Sequence, residues 1–298
     1  LIYMTKTDGR RPKVALFGDA KAHERVPFAG TVLTELEKRG FDVETEKELA
    51  AQLATMWPRR RFALTDGGAG ADLAISVGGD GTFLRTAAAL GGCDVPILGI
   101  NAGRLGFLAD VAPAEMPPAL DALLAGDYVV ERRTVIGVEM AGAQPAGYPF
   151  ALNEVAVLKH DNSSLIGIEA RVDGELLAHY MADGLIVCTP TGSTGYSLSV
   201  GGPILVPGSG TLCLAAVAPH SLSMRPVVLK DDVCIELKVE SRGHHFMVAI
   251  DGRSESFPEK TFITLRRAPY RVGVVKITHK RFFDTLRDKL MWGLDKRA

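Results

Sequence analysis

The first part of the chain alternates apolar runs of strand length with stretches whose apolar positions recur every three to four residues. KVALF, Lys13–Phe17, predicts a buried strand. TVLTELEKR, Thr31–Arg39, has helical spacing and stops at Gly40. Phe41–Glu44 predicts a short strand, and Glu46–Trp57 a second helix halted by Pro58. ADLAISV, with Ile75 and Val77, predicts another strand. The FLRTAAALGG that follows places Phe83, Leu84, Ala87, Ala88 and Leu90 on one helical face. Val95–Asn101 closes the series as a strand, followed by a helix over Pro113–Leu124 that ends at Gly126. Strands alternating with helices predict a Rossmann-like parallel sheet with right-handed crossovers.

From about Tyr128 the period shortens. YVVERRTVIGVEM, FALNEVAVL, LIGIEARVDGELLAHY, GLIVCTPTG, TLCLAAVAP, VCIELKVES, FMVAIDGRSESF and TFITLRRAP are β-rich runs, with turn signals at Asp173-Gly174 and Asp251-Gly252. The last stretch, RVGVVKIT then RFFDTLRDKLMWGL, predicts a strand and an amphipathic helix. Its expected apolar stripe is Phe282, Phe283, Leu286, Leu290 and Met291. The expected fold class is therefore α/β plus all-β. Residues 1–127 with 271–298 are expected to form an α/β domain carrying GGDGT, and residues 128–270 a β-rich domain.

Composition narrows this picture. A chain of 298 residues is comfortable for two domains, and a net charge of −1 gives no field favouring nucleic acid or an anionic membrane. Cys93, Cys188, Cys213 and Cys234 form no CxxC pair, so neither zinc nor a disulfide framework is expected. Cys188, Cys213 and Cys234 lie in apolar runs and are expected to be buried. No apolar stretch reaches membrane-spanning length, and LIYMTKTDGRRP lacks a signal-peptide core, so a cytoplasmic protein is expected, with Met4 as its first residue. The run Arg59, Arg60, Arg61 reads as a solvated loop face.

The candidate chemistry centres on GGDGT, Gly78 to Thr82, between a strand and a helix. Such a turn aims backbone N–H groups and the positive helix end at whatever lies above it. Gly79 and Gly81 lack a Cβ, so an anion can approach closely. Asp80 is out of place as a phosphate ligand; it makes sense if it holds a metal ion or takes a proton from an attacking hydroxyl. The plainer alternative is a tight turn with a capping Asp. Asn153 and Glu154 interrupt an apolar strand, which suits a polar ligand such as a ribose and base, or a strand bend. After Asp183-Gly184, TPTGSTGYSLSVGGPI supplies Thr191, Ser193, Thr194 and Ser199 hydroxyls, close-approach glycines and the Tyr196 ring. It lacks a Walker lysine, so it is not a P-loop. Asn101 and Gly103 fall at a strand's carboxyl end, where open α/β sheets place ligands. Arg85 could reach a phosphate or lie on the surface. The first βα turn, GDAKAHERVPFAG, has no GxGxxG, which disfavours a Rossmann oxidoreductase. Seven histidines show no metal-ligand spacing; His244-His245 reads as a hairpin tip, and His279 has no evident role.

GGDGT, GINAGRLGFLAD, ALNEVAV and DGLIVCTPTGSTGYSLSVGGPI, in that order, resemble the motifs of the NAD kinase family of bacterial, ATP- or polyphosphate-dependent type. The resemblance runs from about Lys13 to the C-terminus. It implies phosphoryl transfer from ATP, another nucleoside triphosphate or polyphosphate to the adenosine 2′-hydroxyl of NAD or NADH. It also implies a divalent metal, most simply Mg²⁺, with no dedicated protein metal site, and a homodimer or homotetramer. By the same resemblance Asp80 is the general base, with Gly79 and Gly81 at its turn. Arg85 and Thr82 are phosphate-side residues, and Asn153, Glu154, Asp183, Thr191, Thr194, Tyr196, Ser199 and Asp251 are dinucleotide contacts. Two positions depart from the pattern. Met181 stands where many members have Arg, which leaves the choice between NAD and NADH open, and Gly195 stands where many have Ala. A lipid kinase of the diacylglycerol type shares GGDGT and is the alternative enzyme; a non-catalytic dinucleotide sensor is the alternative of another class.

Overall fold

The computed structural model describes residues 10–103, 105–160, 165–277 and 282–293. Met4 and His279 lie outside the described residues. The chain divides into two compact units, residues 1–132 with 272–298, and residues 133–271.

The first unit is built on β1 (Lys13–Gly18), β2 (Asp42–Thr45), β3 (Ala63–Leu64), β4 (Leu73–Gly78), β5 (Ile97–Asn101) and β6 (Tyr128–Arg133). Between them run α1 (Val26–Lys38), α2 (Lys47–Met56), α3 (Asp80–Leu90) and α4 (Met116–Ala125). Val14, Leu16, Ile75, Val77, Leu98 and Ile100 on the strands share one core with Val32, Leu33, Leu36, Leu49, Leu53 and Leu120 on the helices. β4 and β5 are buried along their whole length, as strands covered on both faces must be. The chain leaves β1 through α1 to β2 on one side, and leaves β4 through α3 to β5 on the other. Arg60 is more engaged than a solvated face implies, because its guanidinium packs over Trp57 and Phe62 and pairs with Glu37.

The second unit holds β7 (Ile136–Met140), β8 (Phe150–Ala151), β9 (Glu154–Lys159), β10 (Ile166–Val172), β11 (Glu175–Ala182) and β12 (Gly184–Cys188). After the single-turn α5 (Tyr196–Ser199) come β13 (Thr211–Val217), β14 (Val227–Lys230), β15 (Ile235–Glu240), β16 (His245–Ile250), β17 (Arg253–Pro258) and β18 (Phe262–Arg267). They form two six-stranded sheets, ordered β11-β10-β15-β18-β7-β8 and β14-β13-β12-β9-β16-β17. All their described pairings are antiparallel. Alternate residues of both sheets, Ile168 and Leu237 from one and Val155, Val187 and Val248 from the other, meet in a shared core. The remaining faces of β9, β12 and β13 bury Ala156, Ile186, Cys188 and Cys213. Cys234 departs from expectation: it precedes β15, is only half-buried, and its N–H donates to Asp173.

The chain then re-enters the first sheet as β19 (Val272–Ile277), which lies between β5 and β6 and completes the order β3-β2-β1-β4-β5-β19-β6. α6 (Phe282–Leu290) follows. Its expected stripe is narrower than the sequence suggests. Leu286 is buried, but Phe283 and Met291 are exposed, and Met291 falls past the helix end.

Candidate active site

Asp80 is the first residue of α3, directly after the Gly79 cap at the carboxyl end of β4. Its carboxylate does not hang free in the turn. Oδ1 accepts from the N–H groups of Leu108 at 3.0 Å and Ala109 at 3.1 Å, and Oδ2 from that of Phe107 at 3.0 Å. Lys289 on α6 sets its Nζ 3.3 Å from Oδ2 and 4.4 Å from the centre of the Phe107 ring. Burial alone would raise this carboxyl, but the N–H donors and Lys289 outweigh it and hold the group below the usual carboxylate range. Gly106 makes the clamp possible: a Cβ there would sit 2.0 Å from Oδ1 and 2.8 Å from Cγ of Asp80. The loop is anchored in turn by buried Asn101, whose Nδ2 donates to the Ala109 carbonyl at 3.3 Å and whose Oδ1 accepts from the Gly103 N–H. Asn101 therefore supports the loop at the strand's end.

The rest of the turn divides by environment. Ideal Cβ positions at Gly79 and Gly81 meet no atom within 4 Å, so nothing inside the protein demands glycine there. Thr82 is buried and packs against Gly78. Arg85 is largely exposed, donates to the Thr82 hydroxyl at 3.4 Å and pairs with Asp19 at 3.2 Å.

In the second unit Asp251 repeats the motif. It occupies a left-handed position, φ 48°, in the β16–β17 turn. Its Oδ2 accepts from the Leu152 N–H at 2.8 Å, and its Oδ1 from those of Asn153 at 2.8 Å and Glu154 at 3.1 Å. Here burial prevails over the N–H donors and the Asp251 carboxyl is raised. The clamp fixes Asn153 and Glu154 at the start of β9. Asn153 Oδ1 and Glu154 Oε2 are both buried without a hydrogen-bond partner. Burial, then the charge of Asp251, pushes the Glu154 carboxyl up to about 7, against a hydrogen bond from the Tyr196 N–H. The TPTG turn presses onto this strand start: a Cβ at Gly192 would lie 2.2 Å from the Asn153 carbonyl oxygen, and one at Gly195 would lie 3.1 Å from Glu154 Oε2.

Asn153, Glu154, Thr191, Thr194, Tyr196 and Asp251 are thus gathered around one strand end, with Thr191 buried and the Tyr196 side chain exposed. Asp183 is not among them. β12 pairs Cys188 with Glu154 and Gly184 with Leu158, so Asp183 lies at the far end of β9, about 16 Å along the strand, bound to Lys159 at 2.7 Å. Ser199 is exposed at the end of α5. The Asp80 clamp and Lys289 escaped the sequence reading. The GRLGFLAD run gave a weak signal for the first, but a lysine 209 positions away gave none.

A parallel α/β sheet with a glycine-rich strand–turn–helix, joined to a two-sheet β unit, is the architecture of nicotinamide-nucleotide kinases. The fold matches that of yeast NADH kinase, solved with NADH, at TM-score 0.87 and 22% identity, over 98% of this chain and 91% of that one. It matches an Archaeoglobus fulgidus NAD kinase, solved with ATP, at TM-score 0.73 and 28% identity, over 94% and 98%. Residues 14–128 match the ATP-NAD kinase N-terminal domain, and residues 152–277 the ATP-NAD kinase C-terminal domain. The NAD kinase of Bacteroides fragilis strain YCH46 is 47% identical over 296 residues, covering 96% of this chain and all of that one. That of Porphyromonas gingivalis ATCC 33277 is 40% identical over 285 residues, covering 94% and 98%. The chain belongs to the NAD kinase family of phosphotransferase enzymes, and the lipid-kinase alternative falls with that assignment.

Proposed function

We propose that this enzyme moves the γ-phosphoryl group of ATP to the adenosine 2′-hydroxyl of NAD, giving NADP and ADP, with Asp80 as the general base. The 2′-oxygen forms a bond to phosphorus, the bond from phosphorus to the β,γ-bridging oxygen breaks, and the hydroxyl proton passes to Asp80. The observation that carries this reading is the clamped carboxylate at the start of α3. Phosphoryl transfer asks a protein mainly for position and charge neutralisation, so a fixed, ionised acceptor suits it. Oδ1 already takes two N–H bonds, whereas Oδ2 takes one N–H and the longer Lys289 contact. Oδ2 is therefore the oxygen with room for a proton. The two partnerless acceptors, Asn153 Oδ1 and Glu154 Oε2, suit the hydroxyl and amino donors of an adenosine.

Among the described residues no group of three His, Cys, Asp or Glu side chains could hold a metal ion. A Mg²⁺ brought in on the triphosphate fits this arrangement, since Mg²⁺ is commonly held by phosphate oxygens and water with few carboxylates; it would neutralise donor charge.

Glu154 is the rival base, favoured by its carboxyl near pH 7. Initial rates at saturating ATP and NAD, with NADH in parallel, separate the two. With Asp80 as base, kcat stays level from about pH 8 to about pH 6, and Asp80→Asn lowers it at least about 100-fold while dinucleotide binding survives. With Glu154 as base, Glu154→Gln causes the large loss in kcat and Asp80→Asn the small one. Near-normal turnover by Asp80→Asn rejects the assignment.

A further inference from the structure

A second concavity in the α/β unit has no role in the reading above. It has a volume of about 260 Å³ and is lined by the end of β1 (Gly18, Asp19), by Lys21, by Glu46 and by Thr82 and Arg85 of α3. Its place in the sheet is informative. β1 and β4 are neighbours, and their connections depart to opposite sides. That is the crevice where open α/β sheets bind ligands, outside the carboxyl ends of the strands. GDAKAHERVPFAG lacks the glycine fingerprint, but it lies at that crevice all the same.

The lining divides into two chemistries. The basic lining is Arg85 and Lys21. The Asp19 carboxylate pairs with Arg85, which orders the guanidinium. Among the described residues Lys21 forms no ion pair. The acidic lining includes Glu46, just past the end of β2, with Asp19 and Glu48. Glu46 accepts from the Gly18 N–H and feels the charge of Arg85 across the pocket. Its carboxylate keeps lone pairs open in a half-buried setting. Burial, then the neighbouring Glu48, raise this carboxyl against the opposing Gly18 N–H and Arg85.

A carboxylate just beyond the second strand, sharing a pocket with Arg85 from the second turn of α3 and Lys21 from the loop after β1, matches a sugar with an adjoining phosphate. A vicinal diol offers two O–H donors to one carboxylate, while Arg and Lys suit phosphate oxygens. A bare polyphosphate would meet Asp19, Glu46 and Glu48 as like charges. We propose that this pocket binds the ribose 2′,3′-diol of a nucleotide through Glu46, with Arg85 and Lys21 on the phosphate next to that ribose. The inference rests on the kinase reading above. Besides the acceptor adenosine ribose, whose 2′-hydroxyl is assigned to Asp80, two nucleotides of the reaction carry such a unit: the ATP donor and the nicotinamide half of the acceptor.

The test compares ATP with 2′,3′-dideoxy-ATP, and KM for ATP with KM for NAD, in the wild-type enzyme and in Glu46→Gln. A donor ribose in the pocket gives the wild type a KM for dideoxy-ATP about tenfold above that for ATP. Glu46→Gln then raises KM for ATP about five- to tenfold, narrows the gap to dideoxy-ATP and leaves KM for NAD unchanged. An acceptor ribose gives the reverse: KM for NAD rises, and both ATP forms behave alike. If dideoxy-ATP serves the wild type as well as ATP does, and Glu46→Gln moves neither KM, the proposal is overturned. The wild-type comparison needs no variant, so a folding defect in Glu46→Gln does not blunt it. Absence of any NADP or NADPH product is a different failure, that of the kinase reading. In that case equilibrium binding of ATP, dideoxy-ATP, NAD and NADH to the same two proteins still decides the pocket.

Discussion

Replacing Gly106 with alanine adds one methyl group, and the structure shows where it lands. The new carbon would be 2.0 Å from Asp80 Oδ1 and 2.8 Å from its Cγ, where ordinary contact begins near 3.4 Å. The carboxylate or the 106–109 loop must therefore retreat by more than about 1 Å. If the carboxylate moves, a displacement of that size at a reacting group costs on the order of 100-fold in turnover. If the loop moves, hydrogen bonds from the Phe107, Leu108 and Ala109 N–H groups to a charged acceptor weaken, and each contributes roughly 1.5–3 kcal/mol. Losing the equivalent of one such bond lowers Tm by several degrees. The assay is NADP formation at saturating ATP and NAD beside a thermal melt of the same preparation. Gly106→Ala is expected to lose about 100-fold in kcat, or several degrees in Tm with a smaller kinetic loss. Turnover within about threefold of wild type and a melting temperature within about one degree would show that the clamp does not position Asp80.

Gly79→Ala should behave differently, because its Cβ meets only open space and its φ of −97° suits alanine. It is expected to melt like the wild type and yet lose affinity for a phosphate-bearing substrate; unchanged KM for both substrates would count against close approach at that turn. The Glu154 carboxyl, raised from 4.5 to about 7, favours the protonated folded state. Its contribution is fully present below about pH 4.5 and fades as pH rises through about 7, a span of about 3 kcal/mol at most. Urea titrations of the ligand-free enzyme should therefore show stability falling more steeply with pH from about 5 to 7.5 in the wild type than in Glu154→Gln, and parallel curves would refute the shift.

The α/β plus all-β fold class was legible because helix-spaced segments give way to β-rich runs, although the first of those runs, Tyr128–Arg133, joins the parallel sheet of the first unit, and a parallel sheet covered on both faces writes unbroken runs such as ADLAISV. The Asn153-Glu154 pair was legible as a polar break in an apolar strand, and the structure explains the break through the Asp251 clamp. Other parts were not legible. The clamp on Asp80 is made by main-chain N–H groups, which every residue but proline carries, so no side-chain pattern announces it. Glu46 looked like the first residue of an ordinary helix, and its place beside Arg85 depends on strand order. The exposed Phe283 and Met291 show that helical spacing predicts a face, while the length of the packed surface decides how much of it is covered.

β19 lies between β5 and β6, yet about 140 residues separate it in the chain from β6. A ribosome releasing roughly 5–20 residues per second therefore leaves the first sheet with an unfinished edge for on the order of ten seconds. During that interval the outer side of β5 is open to neighbouring nascent chains, and β6 has no mate in the sheet. The N-terminal half therefore cannot complete its own sheet before that last strand is synthesised.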